Sequence, residues 1–244
     1  MRSKVNTIRM IGCMAAPLAA VVAAALTIGA SAVTARATLI DVNYEANVIS
    51  TMTGAAILGS AGDTWNNLGN IPANPTALEQ VNGSSSGISL NTSATNYYYA
   101  TGGSPAALMD GYIYANNTTI SFTISGLAAN SSFQLVVYGA GNSSGQGDSF
   151  SYSGATGSWA NGVSTTTGTS RDITVAGADG VNYVVFNGTT STGSFTITAN
   201  HNSTNTYAMI NGFQLETLAP EPTALAMFGS GGLALLLVGR KRGN

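Results

Sequence analysis

The chain has 244 residues, of which 44% are apolar and only 7% charged, enough for one sizeable core and too few charges for an ordinary cytosolic surface. Seven of the eight Lys and Arg lie in the first 36 or the last five residues, so over 38–219 Arg171 alone stands against nine acids, a formal charge of −8. That balance excludes a nucleic-acid or anionic-lipid footprint and lysine-braced phosphoryl transfer, and a single cysteine (Cys13) with a single histidine (His201) excludes an internal disulfide framework and a zinc-finger array.

Residues 1–37 have the layout of an export signal: Arg2, Lys4 and Arg9 precede an uncharged, Ala-rich stretch over 10–35. Small residues at −3 and −1 mark two cleavage sites, Ala30-Ser31-Ala32 and Ala35-Arg36-Ala37. The second is preferred, because a strand-like run begins directly after it at Thr38. Met10-Ile11-Gly12-Cys13 is no lipidation site, since the apolar stretch follows the cysteine instead of preceding it.

From 38 to 218 the composition turns to Gly, Ser, Thr, Asn, Val and aromatics in short alternating runs. Strands are expected over 39–44, 118–125, 132–138, 148–152, 172–175, 181–186, 193–199 and 207–216. In Ile120-Ser121-Phe122-Thr123-Ile124 the apolar residues share one face and the hydroxyls the other, the period of a half-buried strand. Phe195-Thr196-Ile197-Thr198 repeats it. Leu135-Val136-Val137 and Val184-Val185-Phe186 are continuously apolar and predict central strands covered on both faces. Residues 126–130 predict a hairpin or a sheet-crossing connection, and Ala178-Asp179-Gly180 a tight turn. Residues 49–111 are less regular, with a Ser/Gly loop expected at 82–87. Short strands at close spacing, no convincing amphipathic helix and no fixed repeat predict one all-β domain. The expected architecture is an antiparallel β-sandwich, jelly-roll-like and of carbohydrate-binding-module size.

Sugar recognition needs flat apolar rings for the C–H face of a pyranose and amides or carboxylates for its hydroxyls. Trp65 with Asn66 and Asn67, Tyr97-Tyr98-Tyr99, and Trp159 with Asn161 offer that pairing in loop-like segments. Gly141-Asn142-Ser143-Ser144-Gly145 matches G-x-S-x-G, and Asp172 or Asp179 followed by His201 completes the order of a hydrolase triad. A strand follows it where a nucleophile elbow requires a helix, so a flexible inter-strand loop is the better reading and no catalytic residue is expected. No cofactor motif and no metal-ligand spacing occur. A structural Ca²⁺ held by loop carboxylates such as Asp110, Asp148 and Asp179 is the one ion these residue types suit.

The C-terminus carries three parts in fixed order: Pro220-Glu221-Pro222, an uncharged segment over 223–239, and Arg240-Lys241-Arg242. The seventeen residues of that segment span about 25 Å as a helix, enough for a thin bilayer with snorkelling flanks. The basic cluster holds its end in the cytoplasm, and the prolines impose an extended approach that exposes Glu221. Together these parts resemble the PEP-CTERM sorting signal of Gram-negative bacteria. The resemblance covers about the last 25 residues, and the export signal that family requires is present at the other end. It implies an exosortase-type membrane transpeptidase as partner, anchoring on the periplasmic side of the inner membrane, processing near Pro220-Glu221-Pro222, and delivery to the cell surface or extracellular matrix. The expected role is structural or adhesive. A carbohydrate-binding module for exopolysaccharide is the alternative, and a secreted hydrolase the lesser one.

Overall fold

Alternation of apolar and hydroxyl side chains builds most of the fold. The structure, a computed structural model, describes residues 37–45, 51–69, 71–72, 74–173, 179–202 and 206–218. The signal segment up to residue 36 and the sorting segment from 219, with Pro220, Glu221, Pro222, Arg240, Lys241 and Arg242, lie outside the described residues. Among the described residues no helix is long and apolar enough to cross a membrane.

The domain is all-β. A six-stranded sheet runs in the order β10 (Thr156–Trp159), β11 (Tyr183–Thr190), β8 (Ser131–Tyr138), β14 (Gly212–Thr217), β1 (Thr38–Glu45), β2 (Asn66–Gly69). A five-stranded sheet runs β3 (Thr76–Glu79), β4 (Ser85–Thr92), β7 (Ile120–Ser125), β12 (Ser194–His201), β9 (Asp148–Ser153). A third sheet holds β13 (Tyr207–Ile210), β6 (Gly111–Asn116) and β5 (Asn96–Tyr99). Neighbours pair antiparallel except β1 with β2. A short α-helix, α1 (Ala106–Met109), buries Leu108 and Met109.

The two larger sheets face each other across the main core. Phe122 of β7 stacks on Phe213 of β14 with ring centroids 4.9 Å apart, and Phe133 of β8 on Phe195 of β12 at 4.2 Å; such pairs add about 1 kcal/mol beyond the area they bury. The opposite face of β7 and β12 carries rungs of paired hydroxyls, Ser121–Thr198, Thr123–Thr196 and Ser125–Ser194, at 3.2, 2.8 and 2.9 Å. These rungs satisfy the sheet surface without charge.

β8 is covered on both faces, as its unbroken apolar run predicts. Leu135 and Val137 enter the main core. Val136 and Tyr138 point the other way, into a second cluster with Met52, Trp65, Leu108 and Met109. Beneath that cover lies a polar network. The Tyr138 hydroxyl donates to Gln214 Oε1 at 2.6 Å, the Leu58 amide donates to the same oxygen at 2.9 Å, and Gln214 Nε2 donates to Asp41 Oδ1 at 3.0 Å. Removal from water pushes the Asp41 carboxyl up to about 7, the Gln214 bond and the Asp63 charge acting as smaller, opposed influences.

The structure differs from the sequence expectation in several places, among them β6 and β10, which no expected run covers. The run 207–216 is two strands, not one. At Asn211 the chain leaves the three-stranded sheet for the six-stranded one, and the buried Asn211 side chain replaces the lost ladder, donating to Gly111 O at 3.0 Å and accepting from Ala140 N at 2.9 Å. The expected Ser/Gly loop at 82–87 already contains the start of β4, held by β3. In 172–175, Asp172 makes only an isolated bridge to Ser104, and 174–178 lie outside the described residues. The less regular region 49–111 supplies β2 to β5, α1 and the start of β6. Residues 126–130 are a sheet-crossing connection from β7 to β8.

Candidate functional site

The three-stranded sheet places its tyrosines by strand alternation. On β6, Ile113 and Ala115 enter the core while Tyr112 and Tyr114 share the other face. Tyr98 of β5 lies directly opposite Tyr112. Tyr207 of β13 lies opposite Asn116, which sets it diagonal to Tyr114. The result is a row, Tyr98–Tyr112–Tyr114–Tyr207, with successive ring centroids 5.5, 6.2 and 5.6 Å apart. The two ends of the row are open, Tyr98 at 45% and Tyr207 at 37% exposure, whereas Tyr112 is 5% exposed.

The loop between β8 and β9 forms the wall beside this row. It is closed on itself by Gly141 N donating to Gln146 O at 2.9 Å and Ser143 N donating to Gln146 Oε1 at 3.0 Å. Asn202 Nδ2 donates to Gly145 O at 3.1 Å and ties it to the end of β12. Gly147 is required there, since a Cβ would lie 2.0 Å from the Thr166 carbonyl oxygen. The Tyr112 hydroxyl donates to Asn142 Oδ1 at 3.1 Å, joining wall to row. Burial, helped by the neighbouring Tyr98, holds that phenol above its ordinary range, so it stays protonated.

Tyr98, Tyr112, Tyr114, Tyr207, Asn142, Ser143 and Gln146 line a cleft of about 310 Å³, the size of a small-ligand site. A larger groove of about 560 Å³ between residues 51–56 and 105–107 offers threonine hydroxyls and small apolar groups, with no ring.

The sequence candidates are dispersed. Trp65 is corrected: at 4% exposure, with its Nε1 donating to Gly54 O at 2.7 Å, it is a core residue with no face for a ligand. Asn66 is corrected with it, because its amide donates to Asp41 O and Glu79 O and accepts from Glu79 N, stitching β1, β2 and β3 together. Asn67 closes on Met52 and Asn43. Trp159 packs its ring against Phe150, Tyr152 and Phe186 at the core edge. Asn161 sits in a one-turn helix at φ 53°, away from the cleft-lining residues. Of the five candidates only Tyr98 lines the cleft; Tyr97 and Tyr99 do not. Sequence reasoning missed Tyr112, Tyr114, Tyr207 and Gln146. The i, i+2 spacing of Tyr112 and Tyr114 was the available signal, and their partners became visible only with strand register.

Ser143 lines the cleft, but its companions there are tyrosines and amides, with no His or acid among them. His201 Nδ1 lies 3.0 Å from Asn202 O. Asp110 is 3.8 Å from Arg171, whose guanidinium also donates to Ala100, Thr101 and Met109 carbonyls. Asp148 is buried and accepts from Met209 N at 3.1 Å. The carboxylates considered for calcium are thus apart, and among the described residues no group of three His, Cys, Asp or Glu could hold a metal.

Compared with family models, with curated proteins and with solved structures, the chain matches none.

Proposed function

We propose that this is an exported PEP-CTERM protein, processed by an exosortase-type transpeptidase, whose β-domain has a structural or adhesive role at the cell surface or in the exopolysaccharide matrix. One observation carries the reading. The fold occupies the interval between the two processing signals: β1 starts at Thr38, directly after Ala35-Arg36-Ala37, and pairs with β14, which ends at Thr217, three residues before Pro220. Thr38 and Thr217 are register partners, and Thr38 N donates to Thr217 Oγ1 at 2.9 Å. Cleavage at both signals therefore removes none of the described strands.

The finer fold reading is a jelly roll, as in carbohydrate-binding modules. Its support is the path of the chain: β7 and β8, β8 and β9, β9 and β10, and β11 and β12 each lie in opposite large sheets, and β1, β14, β8 and β11 are neighbours in that order. Against the hydrolase reading stands the cleft lining beside Ser143, which holds no His and no acid.

Intact mass of the protein from its native host, measured separately on membrane and extracellular fractions, tests the proposal. A species beginning near Thr38 and ending near Pro220-Glu221-Pro222 is expected outside the inner membrane. Retention of Arg240-Lys241-Arg242 in every fraction would sink it.

A further inference from the structure

We infer that the tyrosine cleft binds a neutral polysaccharide, taking a short internal stretch of chain along the Tyr98–Tyr112–Tyr114–Tyr207 row. The inference deepens the adhesive reading by naming its ligand class, but it stands on the cleft and not on the sorting signal.

Four observations carry it. First, the row of packed rings is open at both ends. The end rings Tyr98 and Tyr207 are 45% and 37% exposed, and ring-to-ring steps of 5.5 to 6.2 Å are comparable to the advance of a pyranose residue along its chain. Pyranose C–H faces stack on the exposed end rings, Tyr98 and Tyr207, while Tyr112, with its hydroxyl on Asn142, braces the row between them.

Second, the polar groups stand to one side of the row, where the equatorial hydroxyls of a stacked sugar project. Asn142, Ser143 and Gln146 belong to one loop. Their amide and hydroxyl groups both donate and accept, matching the dual character of a sugar hydroxyl.

Third, Tyr112 and the wall loop are braced before any ligand arrives. Tyr112 is clamped by its bond to Asn142, and the loop is braced by its own bonds and by Asn202. A ligand therefore meets ordered side chains, which lowers the entropic cost of binding.

Fourth, no Lys, Arg, His, Asp or Glu lines the cleft. The one cation of the domain, Arg171, is engaged by Asp110 and by backbone carbonyls. A uronate or phosphorylated polymer would lose hydration without gaining a counter-charge, so the chemistry selects neutral sugars. A proline-rich peptide also docks on aromatic grooves. The three adjacent hydroxyl and amide groups favour the polyol.

The test uses the full chain purified in mild detergent, with affinity electrophoresis or calorimetry against cellohexaose, dextran, mannan, alginate and a polyproline peptide. At least one neutral glycan is expected to bind, and binding should stay level between about pH 5 and about pH 8, because no carboxylate and no histidine lines the cleft. Tyr98→Ala and Tyr207→Ala should each weaken binding by about ten-fold, with Tyr98→Phe close to the parent, since the ring face does the stacking. Gln146→Ala with Asn142→Ala, in the wall where Asn142 is exposed and Gln146 half-buried, provides a second route if a tyrosine variant unfolds, and should also weaken binding. Absence of binding to every neutral glycan, preference for alginate or polyproline, or unchanged binding in both the tyrosine and the amide variants would overturn the inference. If neutral glycan binding fails while the mass shows processing, the cleft inference falls alone. If binding holds while the C-terminus is retained, the sorting reading falls alone.

Discussion

Trp65 and Tyr98 carry similar chemistry, an apolar ring with one polar tip, and end in opposite roles because of what covers them. The 51–58 segment lies over Trp65 and supplies Gly54 O for its N–H; Tyr98 packs against Tyr112 and is otherwise 45% exposed. Trp65→Ala is accordingly expected to lower stability by roughly 3–5 kcal/mol, the cost of a large buried cavity, read as a shifted urea midpoint. Tyr98→Ala should leave that midpoint nearly unchanged. Asp41 makes a second prediction. Its carboxyl is raised from 3.8 to about 7 in the folded protein, so between those pH values the folded state holds a proton that the unfolded state has released. Stability from this group is fully present below about pH 4 and is lost as pH rises through 7, with a slope of about 1.4 kcal/mol per pH unit across that window. Asp148, whose carboxyl burial also raises, adds in the same direction. Urea midpoints should therefore fall from about pH 5 to about pH 7.5, and Asp41→Asn should flatten that fall; a midpoint that rises over this range would contradict the burial of both groups.

Among elements, legibility followed hydrophobic contrast. β1, β7, β8, β9 and β12 lie where alternating or unbroken apolar runs place them, because their core faces are Ile, Leu, Val and Phe. β3 and β5 are only four residues long and β4 is written largely in Ser, Thr, Asn and Gly, so they hold their conformation through pairing with a neighbouring strand. Their signal is non-local, so a window along the chain does not contain it. The connection at Gly126 is one point where local and non-local demands meet. Its φ is +96°, and a Cβ would lie 2.3 Å from the Gly87 carbonyl oxygen. Gly126→Ala should destabilise by more than about 1 kcal/mol and disturb the β4–β7 edge, which hydrogen exchange on Ile88 and Leu90 amides would report.

At the scale of the whole molecule, β1 and β14 lie side by side inside the six-stranded sheet, not at its rim. Both ends of the domain therefore leave from the same edge of the fold while their strands remain among its best-buried elements, with Ile40, Val42, Phe213 and Leu215 fully enclosed. Trimming at Thr38 and after Leu218 should leave stability untouched. The extracellular processed form and the full chain, melted in the same mild detergent, are expected to unfold at the same urea concentration. A clear loss on processing would mean that the flanking segments contribute contacts to the core.

The sequence by itself determined what depends on composition and local pattern. It established an all-β domain poor in charge, the positions of the strongest strands, and the layout of basic, apolar and Pro-Glu-Pro segments that marks the ends, since each is a property of neighbours along the chain. Only the tertiary structure decided which aromatics face outward together. Tyr98, Tyr112, Tyr114 and Tyr207 come from three strands, and strand register alone sets them on one face. It also decided that Asp41 and Gln214, polar positions on alternating strands, are buried under a covering loop. Register and loop coverage are relations between distant segments, and no local period encodes them.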